Sequence, residues 1–134
     1  MKLGIVVSEF NPEITSKMLG HALKIAKEKG IQTVVTKVRG AFDIPLAVKK
    51  LLKRKDISGV ATLGTIIQGE TDHDILIANV CAHALTQLSL EFGKPVSLGV
   101  MGPRINVRQA KKRMKEYVER AIHAAFAEKS ETLL

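Results

Sequence analysis

The sequence predicts an α/β domain, a three-layer αβα sandwich on a four-stranded parallel β-sheet, from three observations. Four short runs rich in β-branched residues alternate with four helical patterns. The connections are short, so each strand-helix-strand unit needs a right-handed crossover, which gives a parallel sheet with helices on both faces. And 134 residues are enough for one domain with a real core but too few for two.

Strand 1 is "LGIVV" (3–7). Helix 1 is expected to start at Asn11, a favoured N-cap, with Pro12 at the first helical position, where its missing N–H costs nothing. Its apolar residues, from Ile14 and Met18 to Ile25 and Ala26, keep a helical period until Gly30 stops it. Strand 2 is "QTVVTKV" (32–38). After "RGAFD", Asp43 is placed to cap helix 2, whose apolar side is Ile44, Leu46, Ala47, Val48, Leu51 and Leu52. Strand 3 is the nearly unbroken apolar run "GVATLGTII" (59–67), as a central parallel strand requires. Helix 3 is expected over about 72–91, strand 4 at "PVSLGVM" (95–101), and helix 4 from about Asn106 to Glu128. No internal repeat, low-complexity segment or linker interrupts this order, so a single domain over 1–134 is expected.

Helix 3 differs from the others. Between Asp74 and Glu91 it carries no charge and is apolar on nearly every side. A helix lying on a sheet needs only one apolar stripe, so a second surface must cover the rest. Helix 4 is amphipathic, with Lys111, Lys112, Lys115 and Glu119 opposing Ala110, Met114, Val118 and Ile122. Helix 3 is therefore expected in a subunit interface; the plainer alternative is that it packs under helix 4.

Composition narrows the class. Apolar residues make up 46% and charged residues 25%, ordinary for a globular protein and too apolar for a disordered one. A single cysteine excludes an internal disulfide and any multi-cysteine metal site. The apolar runs fall short of the roughly 20 residues of a membrane span, and "MKLGIVVSEF" reads as a strand instead of a signal peptide, so a cytoplasmic protein without membrane partners is expected. The formal charge of +8 is scattered, with no basic tail and no aromatic-rich face. It reads as a solvated surface that suits small anions; nucleic acid is not an expected partner.

In open parallel sheets, ligands bind outside the carboxyl ends of the strands. The unusual residues gather there. Phe10 and Phe42, two of only four phenylalanines, sit in such loops. Each alone would pass as a hydrophobic staple, but both on one edge favour stacking on a planar ligand. The stretch "GETDHD" (69–74) joins strand 3 to helix 3. A glycine and a small hydroxyl residue at a helix start leave backbone N–H groups for an anion such as phosphate, and the helix dipole adds to the attraction. Asp72 and Asp74 suit the same helix start by charge, and that capping role is the plain alternative for them. His73 is an imidazole able to move protons near neutral pH; its plain alternative is also capping. Adjacent side chains on one turn point apart and lack an HExxH-type spacing, so no metal is expected. No GxGxxG or Walker pattern supports a nucleotide cofactor.

The ordered set "SEFNPEITSKML" (8–19), "RGAFDIPLA" (39–47), "GTIIQGETDHD" (64–74), "PVSLGVMGP" (95–103) and "RQAKKR" (108–113) resembles the lumazine synthase family over almost the whole chain. The resemblance implies a flavodoxin-like sheet and a cofactor-independent transferase of riboflavin biosynthesis. Such an enzyme condenses 5-amino-6-(D-ribitylamino)uracil with 3,4-dihydroxy-2-butanone 4-phosphate. Carried over motif by motif, it implies that Phe10 stacks on the uracil ring and that Ala41, Phe42 and Asp43 hold the ribityl chain. Thr65, Ile66 and Ile67 would contact the pyrimidine through backbone groups. Glu70 and Thr71 would offer amides to the phosphate, His73 would transfer protons, and Arg113 would bind phosphate. It also implies a homopentamer, or a sixty-subunit shell of pentamers, in which Leu98 and Arg113 come from the neighbouring copy and the third helices line a channel.

The sequence departs from the family pattern in places. Asp43 stands where many members have Glu, and Leu98 where Phe is frequent. One extra residue precedes "RQA", leaving Arg104 and Arg108 as alternatives to Arg113. The chain starts directly at strand 1, and "KEYVERA" replaces a glycine- and lysine-rich segment, which leaves pentamer and shell both open. Competing readings are an archaeal-type riboflavin synthase, a non-catalytic ligand-binding or shell-forming relative, and a basic nucleic-acid-binding module.

Overall fold

The computed structural model describes residues 1–126. Along them run β1 (Lys2–Ser8), α1 (Pro12–Glu28), β2 (Thr33–Val38), a 3₁₀ turn (Ala41–Asp43), α2 (Ile44–Leu52), β3 (Ile57–Ile67), α3 (His73–Phe92), β4 (Val96–Ile105) and α4 (Val107–Ala125). The expected order of strands and helices holds. Positions 127 and 128, expected to finish helix 4, lie outside the described residues.

The four strands form one parallel sheet in the order β2-β1-β3-β4. From β1 the chain steps outward to β2, then returns across β1 to β3 and continues to β4. Strand order therefore reverses between β1 and β3, and their carboxyl ends bound the crevice where ligands of such sheets bind. One face carries α1 and α4, whose Ile14, Met18, Ala110, Val118 and Ile122 pack on Leu3, Ile5, Leu63 and Met101. The other carries α2 and α3, whose Ile44, Val48, Leu52, Cys81 and Leu85 pack on Val6, Val60 and Val100. Burial lifts the Cys81 thiol to about 11, as expected of an inert core residue.

Helix ends follow local chemistry only in part. At the start of α4 the Asn106 side chain accepts from the Gln109 amide (2.8 Å) while the Gln109 side chain accepts from the Asn106 amide (3.0 Å), a reciprocal capping box. Past the end of α1, Gly30 takes a left-handed φ of 68°, which a glycine adopts at little cost. The end of α2 is held from a distance: Lys94 Nζ donates to the carbonyls of Leu52 (2.8 Å) and Arg54 (2.9 Å).

Three expectations about ends need correction. Asn11 does precede Pro12, but it is left-handed (φ 63°) and its side chain makes no capping bond. Asp43 does not cap α2 with its side chain; its carboxylate turns back to accept from the Gly40 amide (3.1 Å) and closes the 3₁₀ turn. β4 does not stop at Met101 but runs on through Pro103 to Ile105. A proline is tolerated there because β4 is an edge strand, where an absent donor leaves no neighbour unpaired.

α3 is 20 residues, long and apolar enough by length and composition to cross a membrane. Only Asp74, Cys81 and Leu85 on it are buried. Leu76, Val80 and Leu90 stand 58%, 39% and 74% exposed, so a stripe of large apolar side chains has no cover among the described residues. The alternative of packing under α4 is excluded, since α4 lies on the opposite face.

Candidate active site

The carboxyl edge of the sheet gathers most of the residues singled out from the sequence. β1 ends at Ser8 and delivers Phe10; its amide donates to the Arg39 carbonyl (2.9 Å), and the Glu9 amide to that of Val38 (2.7 Å). These bonds set the Phe10 loop beside the one after β2, where Ala41 is buried and Phe42 and Asp43 are exposed. The Asp43–Gly40 bond fixes this second loop as a tight turn. The Phe10 and Phe42 side chains are 70% and 62% exposed. A staple would bury them against the following helix; here both rings are free to stack on a ligand.

Across the crevice, β3 brings Thr65 (buried) and Ile66 and Ile67 (half-buried). Asn11 spans the gap, donating from Nδ2 to the Thr65 carbonyl at 3.1 Å. This bond joins the β1 end to the β3 end at the point where strand order reverses. It explains why Asn11 gives up side-chain capping: its amide is spent on the sheet, while its carbonyl still accepts from the Ile14 (3.0 Å) and Thr15 (3.1 Å) amides. Sequence reasoning took Asn11 for a cap only. The left-handed conformation that Asn tolerates better than most residues has no signature in the sequence itself.

Beyond β3 the chain turns through Gly69–Asp72 into α3. Among the described residues, the Glu70 and Thr71 amides find no protein acceptor. Thr71 Oγ1 accepts from the His73 amide (3.3 Å), which folds the turn onto the helix start. Glu70, Thr71, Asp72 and His73 are all exposed. Free amides, the positive end of a 20-residue helix and an imidazole at its first residue thus meet on one surface. Asp74 departs from the capping role expected of it. Its carboxylate is buried, 4% exposed, and accepts from the Arg104 amide at 2.9 Å.

Two expected residues are not brought here. Leu98 lies midway along β4, paired with Thr62 and half exposed beside α3. Arg113 is exposed on α4, on the other face of the sheet from α2 and α3. Arg104 and Arg108 are exposed as well, at the end of β4 and the start of α4. The single chain therefore presents an open half-site. A groove of about 460 Å³ lies away from this edge, along Lys2, Ala26 and Ile31; one of about 300 Å³ between α1 and β2 touches the edge at Ser8 and Glu9, and one of about 400 Å³ between β2 and α2 touches it at Asp43.

A parallel αβα sandwich of this kind is flavodoxin-like, a fold whose ligands bind at the strand-order switch. Comparison with known proteins narrows this. The family described as 6,7-dimethyl-8-ribityllumazine synthase matches residues 1–130. The 6,7-dimethyl-8-ribityllumazine synthase of Metallosphaera sedula is 53% identical over 126 residues, 93% of this chain and 83% of that protein. Those of Sulfolobus acidocaldarius (50% identical, 93% and 80% covered) and Saccharolobus solfataricus (49%, 94% and 82%) are similar to it to a like degree. The chain belongs to the 6,7-dimethyl-8-ribityllumazine synthase family.

Proposed function

We propose that the protein is a lumazine-forming transferase, joining 5-amino-6-(D-ribitylamino)uracil to 3,4-dihydroxy-2-butanone 4-phosphate with loss of phosphate and two waters. The observation that carries this reading is the pair of amides at Glu70 and Thr71, unused among the described residues and within three positions of His73, in a chain matching the family over residues 1–130. The uracil ring stacks on Phe10, its ribityl chain runs along Ala41, Phe42 and Asp43, and its polar edge meets the backbone of Thr65, Ile66 and Ile67. The amides and helix dipole at Glu70 and Thr71 receive the phosphate.

The reaction starts when the 5-amino group attacks the ketone carbon and water leaves to give an imine. Loss of a proton from the adjacent hydroxyl-bearing carbon then expels phosphate from the terminal carbon. The enol so formed takes up a proton at its terminal carbon to become a methyl ketone, and the ribityl-bearing nitrogen closes the ring on that carbonyl with loss of the second water. His73 moves the protons at nitrogen and carbon. Holding both substrates face to face turns a bimolecular encounter into a unimolecular step. The protein is a homo-oligomer, and the reading takes it to be a pentamer or a shell of pentamers. The neighbouring copy supplies Leu98 as a wall for the ring and Arg113 as a directional partner for the phosphate dianion. The exposed Leu76, Val80 and Leu90 support such an assembly, with the α3 helices lining its channel.

The test is to mix the protein with both substrates and follow lumazine absorbance. Turnover is expected, with His73→Ala slower by about tenfold or more and Arg113→Ala showing a raised KM for the phosphate substrate alone. Absence of product from the parent protein refutes the reading. Product formation from two lumazines without the butanone phosphate would reassign the chain to the riboflavin synthase reaction.

A further inference from the structure

Asp74 is a nearly buried carboxylate in a basic chain, and the proposed chemistry makes no use of it. Its Oδ2 accepts from the backbone amide of Arg104, thirty positions away in sequence, at 2.9 Å. Arg104 holds a left-handed φ of 60°, unusual for a residue with a Cβ, just after a Gly102 whose φ is 118°. A side chain at Gly102 would bring its Cβ 2.6 Å from the Ile66 carbonyl, so this part of β4 is pressed against the end of β3. One residue further on, the Ile105 carbonyl accepts from the Gln68 amide at 2.8 Å.

These contacts bracket the turn from Gly69 to His73. Its entry, Gln68, is tied to Ile105; the residue after it, Asp74, is tied to Arg104. Both ends of the turn are thus fastened to adjacent residues of one strand. Within it, the Thr71–His73 bond is a weak 3.3 Å contact, and its side chains are exposed. The Asp72 carbonyl accepts from the Ile75 (3.1 Å) and Leu76 (3.2 Å) amides of the helix, but Gly69 to Thr71 have no further backbone bond among the described residues, so that stretch hangs between the two anchors and the helix start.

We propose that Asp74 is a positioning residue for the anion-binding turn. By accepting from the strained Arg104 amide it holds the Glu70 and Thr71 amides convergent, so that they meet a phosphate group without reorganising. This rests on the reading of that turn as the phosphate site. The effect is assigned to the hydrogen bond and not to the charge, and a side-chain amide oxygen of the same reach can also accept from Arg104.

Asp74→Asn, Asp74→Ala and Asp74→Glu separate the possibilities. Two readouts serve: KM for each substrate in turnover, and affinity for inorganic phosphate by calorimetry, which needs no turnover. Asp74→Asn is expected to match the parent in both. Asp74→Ala should weaken phosphate binding, and raise KM for the phosphorylated substrate, by about tenfold, the effect of losing one hydrogen bond's worth of organisation. KM for the uracil substrate should stay within about twofold. Asp74→Glu, whose carboxylate overshoots by one methylene, should fall between and serves if the alanine variant does not fold. The proposal is overturned if phosphate binds all three variants as it binds the parent, if both KM values rise together as in a general loss of stability, if Asp74→Asn behaves like Asp74→Ala, or if the parent binds no phosphate. A parent that binds phosphate but makes no lumazine would instead refute the proposed reaction and leave this assignment standing.

Discussion

At the scale of single residues, Asn11 does the most with the least. It takes a left-handed backbone, starts α1 with its carbonyl and ties the β1 end to Thr65 with its side chain. Asn11→Gly keeps the backbone conformation and removes only the side-chain bond. It should destabilise by about 1 kcal/mol and raise KM for the uracil substrate, because in the proposed complex Phe10 and the Thr65 backbone face one ring and would no longer be held in register. Asn11→Ala adds the cost of a left-handed residue with a Cβ, about 1–2 kcal/mol more. Thermal melts together with substrate titrations check both. Equal melting temperatures for parent and glycine variant would show the bond to be idle. Asp74 and Asn11 share a logic: each looks like a helix-start residue, and each spends its side chain on a distant backbone group beside the proposed substrates.

At the scale of elements, the least expected device is the lysine that closes α2. The last carbonyls of a helix lack internal partners, and a cation among them satisfies both their hydrogen bonding and the dipole. Lys94 reaches them from the α3–β4 connection. Lys94→Met keeps the aliphatic stem and loses the ammonium, and should cost about 1–3 kcal/mol of stability as read by denaturant midpoints. An unchanged midpoint would mean water replaces it without loss. Such contacts explain what the sequence conveys and what it hides. Strand and helix identities were legible because β3 reads as one apolar run and α4 as an amphipathic stripe, patterns set by burial along each element. The end of β4 was not, because Pro103 signals a stop unless the strand is known to lie at an edge. Nor was the fate of Asp43 and Asp74: a carboxylate near a helix start satisfies the local rule in either orientation, and only the fold decides which backbone amide it meets. The site's two loops and its turn were legible as unusual residues at strand ends, and their grouping on one edge follows from the parallel topology.

At the scale of the whole molecule, α3 sets the behaviour. Exposed leucines at 76 and 90 and valine at 80 lie at helical spacing on one side of a 20-residue helix, a surface a lone globular chain does not keep. Light scattering is expected to give a multiple of 14.6 kDa, five-fold for the proposed pentamer. Leu76→Glu combined with Leu90→Glu should drive it toward the monomer and abolish turnover at the same time, since Leu98 and Arg113 are then no longer delivered. A double variant that stayed assembled and active would move the interface elsewhere. The assembly also bears on β2. It is the outermost strand on its side of the sheet, six residues long, and its outer row of backbone donors and acceptors pairs with no other strand among the described residues. Its brevity and the charges of Lys37 and Arg39 near its end make it a poor template for amyloid growth. Cations so placed oppose edge-to-edge pairing of the kind a subunit risks before it meets its companions.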